Sequence, residues 1–269
     1  RGGAMMASSA LISALVFAGA CGASVARSGV APGPSVARKL RGGMTMSASS
    51  TYRLTYFDAR GAGELSRVLL TLGKQEYEDK RYPIAFVDGK PSVPDFQKAK
   101  EAGDLKANMG RVPILDVDGV EIGQSKAIER FLARKLGMYG SSDLEAAQVD
   151  AVCEHCRDVK EAFGRAVPPF APEDEEKEKK RDEWYATGLP SWFSRLEDAL
   201  PASEGDWLVG SSLTLADVYV WSLVRDTFPD KERCSKAMEG CTRLRSVADR
   251  VALIPELSAW LESRPVTNF

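Results

Sequence analysis

The chain has 269 residues, 44% of them hydrophobic and 28% charged, enough to bury a sizeable core and intermediate between one large domain and two ordinary ones. Residues 1–57 hold six Lys or Arg and no acid, so the formal total of −2 leaves −8 on the remainder, and an acidic body argues against general nucleic-acid binding. No apolar run is as long as a membrane span, the longest being Ala10 to Ala20, and five cysteines, an odd number mostly on predicted helices, do not make a disulfide framework.

Residues 1–50 join an apolar segment, Leu11 to Ala18, to an acid-free stretch carrying Arg27, Arg38, Lys39 and Arg41 among Ser, Gly and Pro. This is targeting chemistry rather than core. It reads either as a signal peptide with a transit-like tail, which implies a plastid or a secretory-route organelle, or as untranslated leader before Met44 or Met46, which implies the cytoplasm.

From Tyr52 the pattern runs strand, helix, strand: Tyr52 to Phe57, Glu64 to Leu72, Glu76 to Arg81. A long polar loop with Pro83, Pro91 and Pro94 leads to a short helix, Asp95 to Ala102. Ile114 to Val117 and Val120 to Ile122 flank Asp118-Gly119, a dipeptide that favours tight hairpins. Pro113 belongs at a strand start or in a cis turn, and a cis Val112–Pro113 bond is expected. In that geometry the Val112 N–H and C=O turn from the sheet and can pair with an extended ligand backbone, as an added strand would. Gln124-Ser125 precedes the helical pattern Ile128, Phe131, Leu132, Leu136, which puts Ser125 at the N-cap or first turn, where free N–H groups and the dipole favour a carboxylate. The unit 51–136 is thus βαβ-α-ββα, which resembles thioredoxin.

Gly137 to Ser142 is turn-rich and reads as a linker. The segment 144–264 shows only helical periodicity: Leu144 to Arg165, Glu173 to Leu200, Leu215 to Arg225, Thr242 to Leu253 and Glu256 to Glu262. Pro190 should kink or divide the second of these. Thr214-Leu-Ala-Asp217 fits a capping box. Cys153-Glu-His-Cys156 has the CxxC spacing of thiol oxidoreductases and of half a zinc site, but it lies inside a helix and His155 is the only histidine. Interior packing is its reading, and no metal is expected.

Val112-Pro113 before a strand, the Asp-Gly hairpin and Gln124-Ser125 opening a helix resemble the glutathione site of the glutathione transferases. Thr51-Tyr-Arg-Leu-Thr-Tyr-Phe57 with Arg60-Gly-Ala-Gly-Glu-Leu-Ser-Arg67 resembles the start of the sigma class, which includes haematopoietic prostaglandin D synthases. The similarity spans about residues 51–264. It implies an α/β thioredoxin-like domain followed by an all-helical one, glutathione as co-substrate, a hydrophobic electrophile as second substrate, and a homodimer.

The resemblance assigns Tyr56 as the catalytic residue. A free thiol has a pKa of about 8.5, and the thiolate is the nucleophile, so a phenol O–H aimed at the sulfur favours the reactive form. Gln124 and Ser125 would hold the γ-glutamyl carboxylate, and Val112, fixed by Pro113, would pair with the cysteinyl backbone. Arg111 and Lys100 would reach the glycyl carboxylate beside Phe96, which stands where sigma enzymes carry a Trp. Asp158 matches an acid that crosses the dimer interface to the glutathione ammonium. Ala62 departs from the pattern, since a second Arg follows Arg60-Gly61 in sigma enzymes; Arg60 and Arg67 are the candidate substitutes. The implied reaction is attack of the glutathione thiolate on a soft electrophile, with isomerase or peroxidase chemistry as an alternative from the same site. A non-catalytic relative, crystallin-like or a ligand carrier, is the rival that Ala62 favours. A thiol-disulfide exchanger of the omega type would need Cys near position 56, where there is none.

Overall fold

A computed structural model describes residues 50–87, 90–169, 171–203 and 205–267. The basic extension discussed above lies outside them up to residue 49. Strand β1 (Tyr52–Phe57) leads through a short 3-10 turn at Gly61–Gly63 into α1 (Glu64–Leu72) and then β2 (Glu78–Tyr82). The second strand begins two residues later than the periodicity indicates. The polar loop that follows is not irregular throughout: β3 (Ala85–Val87) and β4 (Lys90–Ser92) pair as a separate antiparallel ribbon, with Phe86 opposite Pro91. A proline hides such a strand from pattern reading, yet a two-stranded ribbon has free edges on which its missing N–H is tolerated.

Helix α2 (Pro94–Ala102), the hairpin of β5 (Ile114–Val117) and β6 (Val120–Gly123), and α3 (Ser125–Lys135) complete this half. The four-stranded sheet has the order β2-β1-β5-β6, with β2 parallel to β1 and the other pairings antiparallel. Successive side chains of a strand point to opposite faces. Leu115 therefore joins Leu54, Leu69, Leu70, Ile128 and Leu132 under α1 and α3, while Ile114 joins Tyr82, Ala99 and Leu105 under α2. This is the expected thioredoxin-like layering.

The second half is helical among its described residues. Helix α4 (Asp143–Ala166) starts at Ser142, whose hydroxyl accepts from the Glu145 N–H. The long helix read across Pro190 is divided, as the proline requires, into α5 (Glu175–Glu183) and α6 (Leu189–Ala199), joined without a break by a π-helical stretch at Trp184–Gly188. Pro190 has no N–H for the ladder, and widening the preceding turn accommodates its ring. Helix α7 (Leu215–Trp221) opens on the Thr214–Asp217 capping box, with both reciprocal bonds present, and passes into a second π-helical stretch, Ser222–Thr227. Helix α8 (Lys231–Ala237) has no counterpart in the sequence reading. It is only two turns long, too short to display a period, although Asp230 caps it by accepting from the Arg233 N–H at 2.9 Å. Helices α9 (Thr242–Ala252) and α10 (Pro255–Ser263) finish the chain.

One continuous apolar cluster runs through both halves, from Leu54, Leu69 and Ile128 to Val149, Val159, Phe193, Trp221 and Leu257. Polar contacts cross the same junction. Buried Glu129 on α3 accepts from the Tyr219 hydroxyl on α7 and from Lys126. Glu64, at the start of α1, accepts from Trp260 Nε1 at 3.3 Å and from Arg264 at 2.8 Å. No described helix is long and apolar enough to cross a membrane.

Candidate active site

Register gathers the candidate residues at one end of the sheet. Thr55 lies opposite Ile114, and Ile114 opposite Gly123, so the next residues along these strands, Tyr56, Pro113 and Gln124, come together at the same end of the sheet, where Tyr56 still pairs with Arg81 of β2. The loop after β1 then folds back over the Tyr56 ring. Ala62 N–H donates to the phenol oxygen at 3.0 Å. A Cβ at Gly61, which has φ +37°, would come within 2.6 Å of that oxygen, and one at Gly63 within 2.7 Å of the ring. Only residues without side chains let the backbone lie this close to the phenol.

Arg67 supplies the nearby charge that Ala62 lacks. It is fully buried, its guanidinium carbon 5.8 Å from the Tyr56 ring centroid. It donates to the carbonyls of Phe57 (3.3 Å) and Ala59 (2.7 Å) and to the carboxylate of Asp79. Arg60 points elsewhere and pairs with Asp226 at 3.1 Å. Burial pushes the Tyr56 pKa up, while the Ala62 N–H and the Arg67 charge pull it down. A group raised above 10 is a neutral phenol throughout the physiological range. Its oxygen already accepts from Ala62, so its proton is left to be donated, and no described protein group takes it.

The Val112–Pro113 bond is cis, as expected, and Pro113 is buried. Neither the N–H nor the C=O of Val112 has a partner among the described residues. Asn108, which the sequence reading passed over, holds this corner: it is buried, donates to the Pro113 carbonyl at 3.0 Å, and accepts on its own carbonyl from Arg111 N–H at 3.0 Å. Gln124 adopts φ +69°, ψ 113°, outside the favoured regions of a non-glycine residue, and such an outlier is a pointer to function. Ser125 is the first residue of α3, and no side chain caps the helix, so its first N–H groups keep their capacity for an anion.

The other assigned residues are placed less uniformly. The Lys100 stem lies along Gly110, where a Cβ would stand 3.1 Å from its Cε, and exposed Arg111 donates to the Asn108 carbonyl, so both cations flank the Val112 corner. Phe96 is half-buried with its ring against Phe57 (4.9 Å) and Tyr82 (5.9 Å), which makes it first of all a packing residue of α2. Asp158 is exposed on α4 and is not brought to Tyr56 or Ser125 by any described contact. Cys153 and Cys156 are free and buried in α4, and burial raises both thiol pKa values, the behaviour of packing cysteines. Among the described residues no group of three or more His, Cys, Asp or Glu side chains is placed to hold a metal ion.

A neutral tyrosine that must donate, beside a helix start and an unpartnered extended backbone, can bind a small anionic peptide and stabilise a thiolate on it. Comparison with known proteins agrees with this geometry. Residues 52–134 match the family model described as glutathione S-transferase, N-terminal domain, and residues 157–264 the one described as glutathione S-transferase, C-terminal domain. A probable glutathione S-transferase 5 of Caenorhabditis elegans is 34% identical over 222 residues, covering 81% of this chain and 99% of its own. The haematopoietic prostaglandin D synthase of Gallus gallus is 34% identical over 218 residues, covering 80% and 98%. The solved structure of a glutathione S-transferase from the hookworm Necator americanus, described as monomeric, superposes with a TM-score of 0.66 at 32% identity, over 81% of this chain and all of that one. With both family models matched and relatives aligned over nearly their full length, the chain belongs to the glutathione S-transferase family, enzymes that take glutathione as co-substrate.

Proposed function

We propose that this protein conjugates glutathione to soft electrophiles in the manner of the sigma class, with the Tyr56 phenol O–H donating a hydrogen bond to the thiolate. The observation that carries the reading is the Ala62 N–H on the phenol oxygen, which fixes the ring and leaves the O–H as the only bond the oxygen has yet to make. Gln124 and Ser125 hold the γ-glutamyl carboxylate at the α3 start, Val112 pairs with the cysteinyl backbone, and Lys100 and Arg111 answer the glycyl carboxylate. The hydrogen bond to sulfur favours the anion, and each unit of thiol pKa lowering corresponds to about 1.4 kcal/mol.

In the reaction with an aryl chloride, sulfur bonds to the ring carbon, the carbon–chlorine bond breaks, chloride leaves, and the former thiol proton goes to solvent. Retention on immobilised glutathione followed by conjugation of 1-chloro-2,4-dinitrobenzene tests this directly. Retention with turnover is expected; retention without turnover would favour the non-catalytic carrier, and failure of both would sink the reading.

Similarity to a prostaglandin D synthase favours a second reading, isomerisation or peroxide reduction by the same thiolate. Isomerisation regenerates glutathione, so product formed without net thiol loss identifies it. We also propose a homodimer: Asp158 is exposed on α4 and without a side-chain partner among the described residues, which suits a residue serving a second copy. Sedimentation equilibrium gives the mass that tests this.

A further inference from the structure

Lys160 holds an unexpected position on α4. It stands four residues after Cys156 and three before Phe163, on the stripe that carries the buried Cys153 and Cys156, because residues three, four and seven apart share a helix face. Its side chain nevertheless reaches solvent and has no hydrogen bond or ion pair among the described residues.

The elements packed against α4 show where it emerges. Helix α4 lies along α7 and the Ser222–Thr227 stretch, and α3 also packs on α7. Protein on both sides and the Lys126 ammonium draw the Lys160 pKa below the usual lysine value, while Glu129 and Asp226 oppose this. Phe163, on the same stripe, packs its ring on Phe228 at 5.2 Å, just beyond the Ser222–Thr227 stretch, so this side of α4 faces the segment that carries Asp226, and the charges of Lys126, Glu129 and Asp226 all act on Lys160. The neighbours form a series: Ala62 bonds Tyr56, Arg60 pairs with Asp226 at 3.1 Å, the charges of Asp226 and Lys126 both act on Lys160, and Lys126 adjoins Ser125. One end of that series is the thiolate's tyrosine and the other the carboxylate's helix start.

Both carboxylates within reach of Lys160 are committed. Asp226 serves Arg60 and Arg264, and Glu129 serves Lys126 and Tyr219. Lys231, beside Asp226, Arg60 and Arg264, likewise has no carboxylate partner among the described residues. Lys160 and Lys231 thus stand as ammonium groups without an ion pair among the described residues, where a purely apolar acceptor would leave them without an anion.

Resting on the transferase reading above, we propose that the second substrate is an electrophile bearing an anionic group, a carboxylate set a short apolar distance from the reacting carbon, held by Lys160 with Lys126 beside it. With an unsaturated ketone of this kind, the thiolate sulfur bonds to the β-carbon, the π pair moves to form the enolate, and the enolate takes a proton from water.

The test compares ethacrynic acid with its methyl ester, which share the reacting enone and differ in the carboxylate. With each rate divided by the uncatalysed one, a preference for the acid of about three- to tenfold in kcat/KM is expected, the size of one or two partly exposed ion pairs. It should shrink with added salt and fall toward unity in Lys160→Gln. Binding of the saturated dihydro acid and ester, which cannot react, is measured by calorimetry on the same proteins. Equal use and equal binding of acid and ester by the unaltered protein would overturn the proposal while leaving the transferase reading intact. Binding of the dihydro acid that depends on Lys160, with no conjugation of either enone, would overturn the transferase reading and leave the anion site standing. A raised KM for glutathione in Lys160→Gln, with the acid preference unchanged, would give the lysine to the tripeptide and overturn the proposal.

Discussion

Ala62 N–H and the Tyr56 phenol oxygen stand 3.0 Å apart, so a residue with only a methyl side chain contributes here through its backbone. Removing the hydroxyl in Tyr56→Phe preserves packing and leaves that N–H to water. The pKa of bound glutathione should rise by roughly one to a few units, seen by titrating the thiolate absorbance. An unchanged titration would make Tyr56 a packing residue.

Gly61 tests the same contact from the other side. A methyl group there meets the phenol oxygen at 2.6 Å on a backbone with φ +37°, so Gly61→Ala must displace either the loop or the hydroxyl. Turnover should fall by about tenfold or more, as expected for one misplaced donor, with a smaller change in KM for glutathione. Equal activity in the variant would mean that the loop position does not govern the tyrosine.

Arg264 reaches this loop from the far end of the chain. It donates to Glu64 at 2.8 Å and to Asp226 at 2.9 Å, and Asp226 in turn holds Arg60. Since Glu64 also accepts from Arg67, the segment between Phe57 and Glu64 is clamped at both ends. Arg264→Gln should lower kcat several-fold and raise the bound thiol pKa while KM for glutathione changes less, and Arg264→Lys should recover part of the loss. A variant altered only in thermal stability would reduce Arg264 to a packing role.

Ser125→Ala acts on a group remote from the sulfur. Its contact with a carboxylate is similar in ground and transition states, so the loss belongs in KM. A charge-assisted hydrogen bond of about 1.5–3 kcal/mol corresponds to roughly a tenfold to hundredfold loss of affinity, less if water takes the place of the hydroxyl. If KM held constant while the maximal rate collapsed, the carboxylate would have to be placed elsewhere.

Glu129 makes stability depend on pH. Burial raises its pKa in the folded protein, against the opposing pull of Lys126 and the Tyr219 hydroxyl. The folded state therefore holds this proton more tightly than the unfolded chain, and its contribution is complete below the ordinary glutamate pKa and lost as pH rises through the folded value. Glu129→Gln keeps an acceptor for Tyr219 and removes the titration, so its melting temperature should fall less than that of the unaltered protein as pH rises from about 4.5. Parallel profiles for the two proteins would exclude Glu129 as the source.

Much of this site was legible before the structure because its parts are local. The Asp-Gly turn, the X-Pro strand entrance and the Gln-Ser helix start each act within a few residues, and β1, α1 and β5 fall at the residues their patterns indicate. The less legible parts depend on distant partners. That Arg67 rather than Arg60 lies under Tyr56 depends on Asp79 and on two backbone carbonyls, and the Arg264 clamp joins residues 200 positions apart. Helix α8 escaped because two turns carry too little period, and the β3–β4 ribbon because Pro91 masks it. The packing of the Phe96 ring on Phe57 and Tyr82 likewise joins residues that no local pattern connects.

The apolar cluster shared by the two halves bears on how the molecule comes apart. Leu69 and Ile128 from the sheet side and Val149, Val159 and Trp221 from the helical side are fully or almost fully buried in one cluster, so neither half can leave without exposing the other's interior. Cooperativity then belongs to the whole of the folded body. Heating or denaturant should melt it in a single transition, and the sheet half expressed alone would present a face of leucine and isoleucine to water, a surface that invites aggregation.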